Sequence, residues 1–272
     1  MKRPRYLGMT PKRRSASTEL QWLPDPELSA ATDRSRRDDF AIVNAALELD
    51  WTAINPLPVR KSPGVRHHFT PAEYYWQRTH RFVWCESQNE RWEALWLDFG
   101  GQIENLWSQP LAIHFGKGSK LAGESHFPDF LGLTTEGGYA LFDVKPRDQI
   151  DEHDELQFGE TAKVCRLLGW HFQVLEGHNP HATQNLYCIS ASRHVRCEPD
   201  APTQFRILQA AINGATRGEL CEVAAPECPP LACAWVDNLT WRRLLRVDLA
   251  AIFRNDTVYT TASNADAQAR YV

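Results

Sequence analysis

Apolar positions recur at three-and-four spacing through Trp92, Leu95, Trp96 and Phe99, which places them on one face of a helix spanning residues 86–99. That face is expected to be buried. Gly100-Gly101 ends the helix, and Ile103-Glu104-Asn105-Leu106-Trp107 reads as a short strand running into Gln109-Pro110. Two strand-like runs follow, 127–133 and 139–145, separated by Thr134-Thr135-Glu136-Gly137-Gly138, whose glycines suit a hairpin turn. The two runs should pair antiparallel. After an acidic connection, Ala162, Val164, Cys165, Leu167 and Leu168 predict a helix stopped by Gly169, and 170–175 returns as a strand. The order is helix, three strands, helix, strand, an α/β arrangement.

The flanks are less regular. Residues 1–40 are polar, charge-rich and without sustained periodicity, so a flexible arm is expected there, followed by a short helix from Asp39-Phe40-Ala41 to Leu47. Residues 55–76 form an irregular basic and aromatic segment, with Arg60, Lys61, Arg66, His67, His68, Tyr74, Tyr75 and Trp76, expected to lie over the surface of what comes next. Past Pro180 a helix carrying Leu186, Ile189 and Val195 completes the unit, and Glu198-Pro199-Asp200-Ala201-Pro202 reads as a linker. Beyond it come helical runs at 205–212, at 216–224 and through Trp235, Leu239, Trp241 and Leu244. Strand-like pieces at 246–249 and 257–261 flank a turn at Arg254-Asn255-Asp256. Three short helices and a terminal hairpin spell a winged-helix module. The expected organisation is therefore an arm at 1–40, an α/β domain at 41–200 and a winged-helix domain at 201–272.

Composition narrows the class. With 272 residues, 43% hydrophobic and 24% charged, the chain has globular usage, which excludes collagen-like and unstructured readings. No run of eighteen apolar residues occurs, and no apolar signal core follows Met1-Lys2-Arg3-Pro4-Arg5, so no membrane association is expected. Seven cysteines without a C-x-x-C pair indicate neither a disulfide framework nor a zinc ribbon and fit a reducing cytoplasm. His178-x-x-His181, like Cys228 and Cys233, lacks further ligands at zinc-like spacing and reads as loop.

Charge is uneven. Of the net −4, residues 1–14 hold six basic side chains and no acid, leaving −10 for the remainder. Contact with nucleic acid must then come from local basic patches, bound cations or partner subunits. The basic arm serves either as a DNA-backbone contact or as a solvated tail. Residues 201–272 hold seven arginines, no lysine and seven acids, so Arg242, Arg243 and Arg246 line a DNA face or the module contacts protein.

The chemistry gathers on the hairpin. Asp143 and Lys145 are separated by one residue and face the same side of a strand, and Asp129 sits opposite them if the register allows. Such carboxylates can share a hard divalent cation such as Mg²⁺, while the lysine stabilises an attacking hydroxide and developing phosphorane charge. The preceding helix places Glu86, Glu90 and Glu93 together on one face, so Glu90 can complete the site; alternatively the stripe is a solvated acidic face. For D-x-K alone, a surface salt bridge is the competing explanation. Gln109 either approaches the site or is a structural Gln-Pro at a strand junction. His126 either bonds a phosphate or a supporting carboxylate, or is simply packed.

Pro128-Asp129 with Asp143-Val144-Lys145 resembles the PD-(D/E)xK nuclease pattern. Adding Glu86-Ser87-Gln88-Asn89-Glu90, Leu97-Asp98-Phe99, Ser108-Gln109-Pro110, His126-Phe127-Pro128-Asp129-Phe130 and Asp143-Val144-Lys145-Pro146, residues 65–175 resemble the TnsA-like endonuclease subunit of heteromeric transposases. The resemblance implies a restriction-endonuclease-like core and, for residues 202–262, agrees with a winged-helix second domain. It implies Mg²⁺-dependent hydrolysis at the 5′ ends of a transposon, with Mn²⁺ substituting. Glu90, Asp129 and Asp143 are implied as metal-binding carboxylates and Lys145 as the catalytic lysine. Glu86 rivals Glu90, and Ser87-x-x-Glu90 favours the latter. Some members carry Gln where Asp143 stands; an acid there favours metal binding. The implied partners are double-stranded DNA at the element ends, a DDE-type transposase subunit and, commonly, an AAA+ ATPase regulator. A free-standing restriction or repair nuclease with the same core is the alternative. A non-catalytic DNA-binding or assembly protein, with the acids and lysine as a salt-bridge cluster, is a third reading.

Overall fold

A computed structural model describes residues 16–25, 39–59 and 72–262. The basic residues 1–14 and the segment 60–71 lie outside the described residues. The chain is mixed α/β and divides into two compact units, residues 1–94 with 102–177 and residues 95–101 with 178–272.

The first unit opens with β1 (Glu19–Pro24), which pairs antiparallel with β2 (Asp39–Ile42). The expected flexible arm therefore gives way at residue 19 to a strand, because Leu20 and Trp22 are fully or almost fully buried. Trp22 meets Trp51 edge to face at 5.4 Å, and Trp170 also meets Trp51 edge to face, at 5.5 Å. Residues 43–48 form a 3₁₀ turn rather than an α-helix. Next come α1 (Trp51–Ile54), capped by Asp50 Oδ1, and β3 (Pro56–Leu57), paired with β1.

β4 (Ala72–Trp76), at the end of the segment expected to be irregular, pairs with β5 (Arg81–Cys85) in an antiparallel ribbon. Its inward positions, Tyr74, Trp76, Val83 and Cys85, are buried, so this stretch contributes core. The ribbon runs directly into α2 (Gln88–Gly100), then β6 (Ile103–Ser108), β7 (Leu111–His114) and β8 (Ser125–His126). β9 (Phe130–Thr134) and β10 (Tyr139–Val144) form the expected antiparallel hairpin, with Leu131 opposite Leu141 and Phe130 opposite Phe142.

α3 (Glu152–Leu168) begins a turn and more before the expected helix. The acidic connection is its first turns, capped by a reciprocal Asp151/Asp154 box and carrying Glu152, Asp154 and Glu155 at its positive end. Gly169, at φ 67, ends it in the left-handed conformation. β11 (His171–Leu175) then lies parallel to β10.

Two sheets result. One has the order β11-β10-β9-β6, and the other runs β2-β1-β7-β8 with β3 attached to β1. Leu20, Trp22, Trp107, Ile113, Leu131, Leu141, Val164 and Leu168 share one hydrophobic core with both sheets and α3. β10 is central in its sheet and buried from Ala140 to Asp143.

The second unit contains α4 (Pro180–Ser190), α5 (Ala201–Ala210), β12 (Ala215–Thr216), α6 (Arg217–Ala224), α7 (Pro229–Trp241), β13 (Leu245–Arg246) and β14 (Val258–Thr261). The strands form a three-stranded sheet in the order β12-β14-β13. Ile207, Leu220, Val236, Leu239 and Tyr259 make its own core. The boundary between units falls at Gly177/His178, not at residue 200. α4 belongs with the second unit: Asn185 Nδ2 donates to Leu249 O and Ala251 O in the loop after β13, and just past the helix Ser192 O accepts from Asn238 Nδ2 of α7. All seven cysteines are free thiols, with Cys221 and Cys233 sulfurs 3.6 Å apart. Among the described residues no helix is long and apolar enough to cross a membrane.

Candidate functional site

Asp129 stands one residue before β9, where the hairpin register carries it beside the end of β10. Its Oδ2 accepts from Val144 N at 2.7 Å, so the first acid is bonded to the backbone between Asp143 and Lys145. Its carbonyl accepts from Gln109 N at 2.7 Å, which fixes the loop from the β6 side. Lys145 N donates to Leu175 O at 3.0 Å, pinning the strand end to β11. The expected juxtaposition of Asp129 with the Asp143-Val144-Lys145 segment is therefore held by main-chain bonds on both flanks.

Glu90 lies in the first turn of α2 and is buried. Its amide donates to Ser87 Oγ at 3.2 Å; its carboxylate accepts from Ser87 Oγ at 2.8 Å and from Glu86 N at 2.7 Å. The Ser87-x-x-Glu90 spacing is thus satisfied locally by helix-capping chemistry, a variant of the reciprocal box in which the acid reaches back to the residue before the cap. Glu93 is also buried, so the carboxylate stripe is not a solvated face.

Asp143 is buried on β10 with Oδ2 2.9 Å from Nε2 of buried His126 on β8. His126 thus takes the carboxylate-bonding role, in a contact that joins the two sheets. Lys145 pairs not with Asp143 but with Asp154 in the first turn of α3, at 3.1 Å.

The electrostatics identify the group under most stress. Burial, then the charges of Glu90 and Asp143, push the Asp129 carboxyl well above the usual carboxylate range, against the lowering bond from Val144 N–H; Glu86 adds least. Of the two helix acids, Glu90 therefore acts on Asp129 more strongly than Glu86. Burial, reinforced by Glu90, pushes the Cys85 thiol up, and burial with Asp143 pushes Cys165 up to about 12. Both thiols stay neutral beside the acids. For Asp154, burial opposes ionisation, but bonds from Asp151 N–H and Lys145 outweigh it and hold the carboxyl below its ordinary value.

Gln109 lies in the junction between β6 and β7. It is 1% exposed and adopts φ 45, a left-handed conformation unusual for glutamine. Its carbonyl accepts from Val59 N at 2.9 Å, and its Oε1 is buried with no hydrogen-bond partner among the described residues. The following Pro110, which bars its predecessor from the right-handed helical region, was the available signal.

Two carboxylates here have an oxygen that a hard cation could use. Oδ1 of Asp129 and Oδ1 of Asp143 carry no hydrogen bond among the described residues, and a carboxylate pushed upward by neighbouring acids is one that a cation would relieve. Among the described residues no group of three His, Cys, Asp or Glu side chains is placed to hold a metal ion. An open arrangement of one or two carboxylates is what Mg²⁺ uses when it keeps its waters and takes substrate phosphate as well.

In the second unit the three arginines considered for a DNA face are differently placed. Arg242 bonds Gln204 Oε1 at 3.0 Å, and Arg243 donates to Phe99 O. Gly101 makes room for that guanidinium, since a Cβ there would meet Arg243 Nη1 at 2.2 Å. Arg246, on β13, is exposed. A scan against protein-family models finds no match, and a comparison with curated proteins finds none, so the residues and their geometry are the ground for a functional reading.

Proposed function

We propose that this chain is a metal-dependent DNA endonuclease subunit of a heteromeric transposase, hydrolysing phosphodiester bonds at the 5′ ends of the element. The observation that carries the reading is the bond from Val144 N to Asp129 Oδ2, which ties Pro128-Asp129 to Asp143-Val144-Lys145 at one end of two neighbouring strands. With β7 and β8, which intervene between β6 and β9, assigned to the other sheet, the remaining order α2-β6-β9-β10-α3-β11 is compatible with a restriction-endonuclease-like core. Three helices with a small three-stranded sheet are compatible with a winged helix.

On this reading Asp129 and Asp143, with Glu90 beside them, hold Mg²⁺, and Mn²⁺ substitutes. Bound there, the cation supplies an acidified water and neutralises charge on the scissile phosphate. Glu90 acts on the site through its charge at Asp129. Lys145 presents its ammonium at the exposed end of β10, where Asp154 orients it, and stabilises the negative charge that develops on phosphate.

The engagement of Arg242 and Arg243 within the second unit favours a protein-contacting role for that module over a basic DNA face. Affinity for DNA is then contributed in large part by partner subunits, in keeping with the net charge of −4. One observation favours the non-catalytic reading: the pairs His126–Asp143 and Lys145–Asp154 satisfy these charges within the protein.

The test is cleavage of end-labelled duplexes carrying the element termini, in Mg²⁺, by this chain with the products of its neighbouring genes. Cuts confined to the 5′ strand ends that disappear with Asp129→Ala support the transposase subunit. Cutting without regard to termini or partners moves the reading to a free-standing nuclease.

A further inference from the structure

We infer that His126 is a positioning residue for Asp143, holding one carboxylate oxygen so that the other is presented to the cation; this rests on the nuclease reading above. Nε2 of His126 lies 2.9 Å from Oδ2 of Asp143, and both side chains are buried, at 7% and 4% exposure. A carboxylate that ligates a cation only accepts, so on this reading Nε2 is the donor of the pair. Asp143 has no second hydrogen bond among the described residues, so His126 alone selects between its two oxygens.

The two partners come from different sheets. His126 is fixed by β8, whose main chain pairs with β7 at Ile113, while Asp143 is fixed by β10 between β9 and β11. Neither backbone can follow the other if the bond is lost, and the carboxylate is then free to rotate about its own side chain. Only two residues separate His126 from Asp129, whose Oδ2 is held by Val144 N in the same manner. Both acids thus have one oxygen occupied by a protein N–H and one without such a bond, a matched arrangement that presets two oxygens for a common ligand. Hydrogen bonds to ligating carboxylates are worth about 10–100-fold in metal affinity.

The test is Mn²⁺ binding by titration calorimetry, and plasmid nicking as a function of Mn²⁺, for wild type, His126→Ala, His126→Asn and His126→Gln. All are compared below the lowest melting temperature of the set. A glutamine amide reaches the position of Nε2, whereas an asparagine amide stops near that of Nδ1. The expected result is a loss of about 10–100-fold in Mn²⁺ affinity for Ala and Asn, recovery with Gln, and nicking by Ala that returns at high Mn²⁺. Wild-type Mn²⁺ affinity in folded Ala and Asn variants overturns the inference, as does Gln behaving like Ala. A measurement free of substitution accompanies these: the His126 Nε2–H resonance of the wild-type protein should move on Mg²⁺ addition, and an unmoved resonance at saturating Mg²⁺ overturns the inference. Absence of Mn²⁺ binding and of metal-dependent cutting by wild type, with its partners present, instead defeats the nuclease reading itself.

Discussion

Val144 donates its main-chain N–H to Asp129 Oδ2 at 2.7 Å, so the acid that precedes one strand is bonded to the peptide between the acid and the lysine of the next. This bond makes two short motifs one structural object. It also prepares the opposing electrostatics of Asp129, whose ionisation is favoured by that bond and disfavoured by burial, Glu90 and Asp143.

A pH dependence with a definite sign follows. A carboxyl whose folded-state pKa is raised contributes stability that is complete below its ordinary value, about 4, and is lost as pH rises through the folded value. In EDTA, Asp129→Asn removes this penalty, since an amide oxygen can still accept from Val144 N–H. The melting temperature of Asp129→Asn minus that of wild type is expected to grow as pH rises from about 4 to about 8. A difference that stays constant across the range contradicts the assignment.

Lys145 and Asp154 separate chemistry from stability. The Lys145 side chain is 35% exposed, so the ion pair at 3.1 Å contributes about 0–1 kcal/mol, and Lys145→Ala should unfold in urea close to wild type while losing nicking. Asp154→Ala also breaks the reciprocal cap of α3 and should cost about 1 kcal/mol, with a smaller loss of nicking than Lys145→Ala. The reverse ranking of the two nicking losses argues against Lys145 as the catalytic cation.

The start of α2 gives a third check. Ser87→Ala removes both the cap acceptor for Glu90 N and the hydroxyl bonded to the Glu90 carboxylate, and should destabilise by about 1 kcal/mol in urea denaturation. Glu90→Ala should in addition lower the pKa of Asp129, read from its carboxyl chemical shift over a pH titration.

Trp22 tests the corrected N-terminal boundary. It is 4% exposed and packs edge to face on Trp51, so Trp22→Ala should cost about 3–5 kcal/mol by denaturant unfolding, where a residue of a flexible arm would cost almost nothing.

The hairpin was legible because its signals are local: an unbroken apolar run in Tyr139-Ala140-Leu141-Phe142 set off by turn residues, and a Gly137 that adopts φ 85 in the turn. β1 was not. As a strand flanked by partners on both sides, it buries Leu20, Gln21 and Trp22 in succession, so no alternation marks it, and its partners come from residues 39–42, 56–57 and 111–114. The β4–β5 ribbon does alternate, but its outward positions include Tyr75, Phe82 and Trp84, with Phe82 65% exposed, so the pattern reads as unbroken aromatic. The early start of α3 is signalled only by Asp151-x-x-Asp154, because its first turns carry acids in place of an apolar stripe.

At the site, the proximity of Asp129 to Asp143-Val144-Lys145 could be anticipated from strand period and turn. The partners of Asp143 and Lys145 could not, because His126 reaches across from another sheet and Asp154 comes from the helix after β10. Those contacts depend on how layers stack, which a single sequence does not encode locally.

The central claim is met most directly by nicking of supercoiled plasmid in Mn²⁺ against EDTA, by wild type, Asp129→Ala and Lys145→Ala, each alone and with the neighbouring gene products. Metal-dependent cutting by wild type that both substitutions abolish is the predicted result. Cutting that survives both substitutions, or no cutting by wild type even with its partners, contradicts it.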